Sequence, residues 1–452
     1  MRQYKDHQLA LTQRFFHHHV HVTELEGMSK ILDEIPDAIG LVQADLLSGG
    51  IDATRGREGM TPDQVLRATI VKQMNDFSYD ELAFHLGDSS AYRAFCRINI
   101  SELPPSKSTL HRNVKLLTPE TLETINRMLV LDAKAKGIEN GRKIRTDCTV
   151  VEAAIHEPSD SSLLWDCVRV LVRLMSQAQE IVDIHFTDHS RRAKRRRMAI
   201  MHTGSSSARV TFYRDLLKVT TKTVNAAQNI AEMLATTLFQ DPDTQSNATQ
   251  LAEEMKHFIG LAHRVLDQTR RRVIFDESVP ACEKVVSIFE PHVDIIVKDR
   301  RETLYGHKIC LTSGASGMVL DAVVQDGNPA DSTLAVDMVK RQGEIYGQYP
   351  RQASFDGAFA SRANLQEIKQ LGVRDVAFSK GRGLGITEMV KSSWVYRQLR
   401  RFRAGVEGVI SSLKRCFCLD RCTWRGTKSF KAFTWGSILA ANLLTLARHV
   451  IT

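Results

Sequence analysis

RKIRTDCTVVEAA, residues 142–154, is where the chain changes character. Upstream of it, apolar residues recur at helical spacing. Here β-branched residues dominate and side chains alternate, with Arg145, Asp147 and Thr149 on one face and Ile144, Cys148 and Val150 on the other. A strand at this point makes the chain mixed α/β rather than all-helical. The strand also carries an acid. Aspartate is depleted in strands and costly to bury alone, so Asp147 calls for either an arginine partner or a divalent cation.

Working back from this strand, the signals are helical. Thr61-Pro62 is an N-cap with proline at the first helical position, followed by Val65, Leu66, Ile70, Val71 and Met74 at helical spacing. Ser78 and Glu81 form a capping box for YDELAFHL, and SAYRAFCRI makes a further helix. After Pro104-Pro105, SKSTLHRNVKLL reads as a helix with Leu110, Val114 and Leu117 inside. Its other face carries Lys107, His111, Arg112 and Lys115. Short helices with one basic face suit a helix-turn-helix-like DNA-binding module, and equally a helical bundle with a solvated face. The last helix of this group starts at Thr118-Pro119 and ends near Gly137. The first fifty or so residues give little periodic signal, and FFHHHVHV reads as a polar turn.

Downstream, a long helical region runs from about 160 to 290 and includes RRAKRRR at 191–197. Such a block of like charge is a solvated segment or one that touches nucleic acid, which singles out Arg195, Arg196 and Arg197. Strands return with HVDIIV, GHKICLT and GMVLDAVVQ, turned by SGASG. Asp331 or Ser332 is placed to cap the helix through LAVDMVKRQGEIY. The strand RQASFD ends at Asp356, beside Gly357; a helix, a strand and further helices follow. The pattern is a mixed sheet with a large helical insertion after its first strand.

One of the last helices contains FRAGVEGVISSLKR, residues 402–415. At about 100° per residue, Arg403, Glu407 and Lys414 project from one narrow stripe beside the apolar stripe of Val406, Ile410, Leu413 and Phe417. A surface ion-pair ladder uses the same spacing.

With 43% hydrophobic and 25% charged residues, the 452-residue chain has a soluble globular composition and room for two or three domains. A net charge of +9 favours a polyanionic partner, nucleic acid first. MRQYKDHQLALTQRFF lacks the apolar run of a signal peptide, and WGSILAANLLTLA, interrupted by Asn442, reads as a core helix rather than a membrane span. Eight cysteines without a disulfide framework fit a reducing compartment; Cys416, Cys418 and Cys422 cluster without a CxxC pair.

Three stretches together resemble the DDE transposases of bacterial insertion sequences, whose catalytic domain is ribonuclease-H-like. RTDCTVVEAAIHEPSDSSLLWD resembles the first-aspartate segment, SFDGAFASRANL the second, and RAGVEGVISSLKR has the R-x3-E-x6-K spacing of the third. The order of these motifs along the chain strengthens the likeness. GHKICLTSGASGMVLDAVVQDGNPADST resembles the linking hairpin, and TPDQVLRATIVKQMNDFSYDELAFHL a helical domain found in one branch of the family. The resemblance implies that Asp147, Asp356 and Glu407 are catalytic and hold Mg²⁺ (or Mn²⁺), with Arg403 and Lys414 on DNA. Relatives often carry a tyrosine where this chain has Arg400, which then joins the DNA-binding cations.

It further implies a helical N-terminal DNA-binding domain over 1–138 and a ribonuclease-H-like catalytic domain over 139–452. The partner is double-stranded DNA, as element ends and as target, with a homodimer in the active complex and a cytoplasmic, nucleoid-associated location without membrane. The activity is binding of terminal inverted repeats followed by metal-dependent strand cleavage and strand transfer. Two other readings use the same residues: a non-catalytic DNA-binding regulator derived from a transposase, and a hydrolytic nuclease of the same fold.

Overall fold

In the N-terminal helices, hydroxyl caps fall where the sequence places them. The structure is a computed structural model and describes residues 19–48, 59–99, 101–298 and 302–451. MRQYKDHQLALTQRFF, His17 and His18 lie outside the described residues. The helices are α1 (Val20–Asp33), α2 (Asp37–Leu47), α3 (Pro62–Asn75), α4 (Tyr79–Asp88), α5 (Ser90–Phe95), α6 (Lys107–Val114) and α7 (Pro119–Ala135). Thr61 and Ser78 each close a capping box, with Gln64 and Glu81. His19 is no turn residue: its ring accepts from the His21 N–H and caps α1.

β1 (Lys143–Ala153) follows, then α8 (Asp160–Ala178), α9 (Ser190–His202), α10 (Ser206–Thr236) and α11 (Pro242–Thr269). The remainder is β2 (Asp294–Lys298), β3 (Glu302–Ser313), β4 (Val319–Val324), α12 (Ala335–Tyr346), β5 (Gln352–Phe355), α13 (Arg362–Gln370), β6 (Asp375–Phe378), α14 (Ile386–Met389), α15 (Ser393–Cys416), β7 (Arg421–Cys422) and α16 (Thr427–Ile451). The result is a mixed α/β protein. The sheet runs β2-β3-β1-β5-β6, with β4 on β3 and β7 on the end of β1. β2–β3 and β3–β4 are antiparallel, whereas β1–β5, β5–β6 and β1–β7 are parallel.

Two compact units result. One joins residues 1–154 to 307–452, so the N-terminal helices share a unit with β1 and the later strands; the other is 155–306. In the second unit, α8, α10 and α11 pack on Leu171, Met175, Leu216, Val224, Met255 and Val265. Its helices end earlier than about 290. A π-turn over Arg270–Ile274 closes α11, and the stretch up to β2 holds only a 3₁₀ turn at Ala281–Glu283. Asp276 takes a left-handed φ of 54° there, and Pro280 and Pro291 interrupt any continuing helix.

In the first unit α16 is the core helix. It is long and apolar enough to cross a membrane, but its most apolar window is 89% buried, and it packs on α1, α3 and α7. Its one amide is fully used: Asn442 accepts from the Val319 N–H at 2.8 Å and donates to Asn126 Oδ1 at 2.7 Å. Pairing with α16 also explains why α1 escapes detection. Glu24 interrupts its apolar pattern but accepts from Arg448 Nε at 2.6 Å. Gly27 leaves space for α16, where a Cβ would meet Ile451 Cδ1 at 2.8 Å.

Two local expectations fail. Neither Asp331 nor Ser332 caps α12, which starts from Leu334 without a side-chain cap. Asp331 instead takes Lys308 Nζ at 2.9 Å. β7 has no counterpart in the strand reading, because two residues are too short to show alternation.

Arg67, fully buried on α3, ties three helices together. Its guanidinium pairs with Asp63 at 2.6 Å and Asp33 at 2.8 Å, and donates to Ser29 Oγ and to the Phe95 carbonyl. Arg67→Ala takes one guanidinium from the buried Asp63, which keeps Arg97 at 2.8 Å, and removes a donor from the Phe95 carbonyl; losing a partner at a buried polar group costs about 1–3 kcal/mol. Arg67→Ala is expected to lower the thermal unfolding midpoint clearly; an unchanged midpoint shows that the network adds nothing.

Candidate active site

Strand alternation aims two pairs of side chains at α15. Arg145 lies two residues before Asp147 on β1, and Ser354 two residues before Asp356, which follows β5; each pair shares a face. Arg145 Nη1 donates to the Phe402 carbonyl at 2.9 Å, and Ser354 Oγ to the Leu399 carbonyl at 3.0 Å. Both strands therefore grip the backbone of α15. Arg145 and Lys143 also lie against the Phe402 ring, at 4.7 and 4.3 Å from its centroid. Close docking requires Gly405, where an added Cβ would meet Arg145 Nη1 at 2.0 Å.

Docking brings the three predicted acids to one guanidinium. Arg403 Nη2 lies 2.7 Å from Asp147 Oδ2 and 3.4 Å from Asp356 Oδ1, while Nη1 lies 2.8 Å from Glu407 Oε1. The Arg403 side chain is 15% exposed and Glu407 67%. Arg403 Nε is buried without an acceptor. Burial pushes the Asp147 carboxyl above its ordinary range and the Asp356 charge adds to this, against Arg403 and the Cys148 N–H. Partial burial pushes Asp356 the same way, but the Ser379 hydroxyl, the Gly357 N–H and Arg403 outweigh it and hold it below the ordinary range.

The other predicted residues are dispersed. Arg400 is exposed, with its guanidinium 5.9 Å from the Tyr396 ring centroid. Lys414 turns to Asp420 at 3.1 Å rather than to Glu407. On α6, Arg112 and Lys115 are exposed, Lys107 is 3.7 Å from Asp80, and His111 stands edge-on to Tyr79. On α9, in the other unit, Arg195 is exposed, but Arg196 pairs with Asp215 and Arg197 lies 5.1 Å from the Trp165 ring centroid. Those last two therefore spend their charge on packing. Cys418 and Cys422 donate to the carbonyls of Gln73 and Trp424. Ser354, Ser379 and the docking role of Arg145 escaped the sequence reading; the one available signal was their place at or beside the acid-bearing strands.

Two family models match the chain. The transposase DDE domain matches residues 271–443, a span that holds Asp356 and Glu407 but begins after Asp147. A transposase domain (DUF772) matches residues 20–116, across α1 to α6. No match was found among curated proteins, and none among solved structures. The two domains, in this order, define a transposase. The chain belongs to the DDE-type transposases of insertion sequences.

Gly405→Ala tests the docking. The new methyl displaces Arg145 and loosens α15 from β1, at a cost of about 1–3 kcal/mol. We expect a lower unfolding midpoint, partly restored when Arg145→Ala is added. An unchanged midpoint for the single variant means that α15 does not depend on this contact.

Proposed function

We propose that this transposase binds the terminal inverted repeats of its element and catalyses metal-dependent DNA strand cleavage and strand transfer. The observation that carries the reading is the meeting of Asp147, Asp356 and Glu407, from three distant segments, on one guanidinium. The strand order supports a ribonuclease-H-like core: β1 is central, with the antiparallel β3–β4 pair on one side and parallel β5 and β6 on the other.

The donor set fits a divalent cation. All three acids offer hard oxygen ligands, and three carboxylates against one guanidinium leave two negative charges uncompensated within the group. With Arg403 between them, no three acids, histidines or cysteines among the described residues stand close enough to hold one ion. Arg403 and a cation thus compete for the same oxygens. Asp147, Asp356 and Glu407 would hold Mg²⁺ or Mn²⁺. When bound, such ions activate an attacking water or 3′-hydroxyl and stabilise the leaving oxygen. Arg145 and Ser354 keep α15, and with it Glu407, in register with the two aspartates. The exposed Glu407 marks the side from which DNA approaches, and Arg400, Arg403 and Lys414 on the same helix offer cations to its phosphates. Lys107, His111, Arg112 and Lys115 on α6, with Arg195 on α9, add backbone contacts. The active complex pairs two ends, which implies a homodimer acting in the cytoplasm at the nucleoid.

The reading is tested with labelled DNA carrying the element's flanking repeats and Mg²⁺. Asp147→Asn, Asp356→Asn and Glu407→Gln are each expected to cut slower by about a hundredfold or more while binding the ends as wild type does. A pre-cut end supplied with target DNA then separates strand transfer from simple hydrolysis. Normal cutting by any of the three variants overturns the site. Binding without cutting by the wild type overturns the catalytic reading.

A further inference from the structure

A second feature lies in the same unit as the acids, in a cleft of about 790 Å³. Three segments wall it: the α3–α4 turn, α6, and the stretch 423–429 leading into α16. Lys72, Lys107, Lys115 and Arg425 face it, with His111, against two acids, Asp76 and Glu81. Glu81 is already committed to the Ser78 N–H at 2.7 Å, in the capping box of α4. The balance is positive, and three of the four cations, Lys107, Lys115 and Arg425, are exposed.

Two donors in the wall lack acceptors. Lys72 is only 5% exposed, and among the described residues its ammonium has no ion pair or hydrogen bond. Its one close companion is the Tyr79 ring, with Nζ 5.1 Å from the centroid. Burial pushes its pKa down, with Cys418 and Asp76 opposing. The side chain lines the cleft with no carboxylate bonded to its ammonium, and an anion in the cleft would supply that partner. Trp424 likewise has a buried indole N–H without a partner, and indole nitrogen can only donate. The missing component is therefore an acceptor. The exposed cations at the rim extend the demand from one anion to a chain of them, and the Tyr79 and Trp424 rings offer apolar faces to sugar or base. The volume lies in the range of ligand clefts and leaves room for a short stretch of one strand.

We propose that this cleft binds the phosphodiester backbone of a DNA strand, with one phosphate on Lys72 and its neighbours on Lys115 and Arg425. The inference rests on the transposase reading and extends the DNA-binding surface from α6 to the chain segment before α16.

The test is binding of the full-length protein to a labelled duplex bearing the element's terminal repeat, across a range of salt. Lys115→Ala and Arg425→Ala are each expected to weaken binding several-fold and to reduce the slope of log K against log salt by about 0.9, the value of one lost phosphate contact. Lys72→Met is expected to weaken binding while leaving the unfolding midpoint of the free protein equal or higher, because burial of the side chain disfavours its charge and no carboxylate is bonded to it. Unchanged affinity and slope in all three variants overturn the cleft while the wild type still binds DNA. A lower midpoint for Lys72→Met assigns Lys72 a structural role and also overturns it. Competition by inorganic phosphate that abolishes the differences between variants and wild type shows a small-anion site instead. A wild type that binds no duplex at all overturns the transposase reading along with the cleft.

Discussion

The candidate active site depends on one guanidinium. Three carboxylates from β1, the end of β5 and α15 repel one another, and a partly buried position strengthens that repulsion. Arg403 offsets it by pairing with all three, so the folded chain assembles the acids with a positive charge already among them. The guanidinium reaches them only because α15 is gripped by Arg145 and Ser354 through its own carbonyls, with Gly405 leaving room. The R-x3-E spacing on α15 therefore reads two ways at once. Arg403 and Glu407 do form an i,i+4 ion pair, as a surface ladder would. What a ladder does not require is that the same arginine also hold two strand aspartates.

Legibility in the sequence followed the range of each interaction. The capped helices α3 to α7, the acid-bearing strand and the strand ending at Asp356 rest on local signals, and these were readable. α1 was not, because Glu24 and Gly27 make sense only against Arg448 and Ile451 more than four hundred residues away. β7 exists only as a partner to the end of β1. Asp321, buried on β4, is a strand aspartate with the same need of a cation. The structure gives that residue the bland answer, a pairing with Arg341 that donates Nη2–H to Oδ1 at 2.8 Å. Asp147 differs because its arginine is shared with two further acids. Similarly, the basic run on α9 looked like one patch, but Arg196 and Arg197 are used in packing, on Asp215 and Trp165.

The cleft and the acids are connected along the backbone. Cys422 on β7 pairs with Ala153 at the far end of β1, and Trp424 follows two residues later. From Ala153 back to Asp147 is six residues of one strand, or about 20 Å at the usual rise. That is the length of about six base steps of DNA, taking about 3.4 Å each. A single stiff element thus spans the distance between a surface suited to DNA backbone and the carboxylates proposed to act on it.

The most direct measurement is the anomalous diffraction of crystals soaked in Mn²⁺, read at Asp147, Asp356 and Glu407. The account predicts Mn²⁺ coordinated by carboxylate oxygens of Asp147 and Asp356, with the Arg403 guanidinium moved off them. A guanidinium still paired with all three acids and no manganese among them, at concentrations that support DNA cleavage, would contradict it.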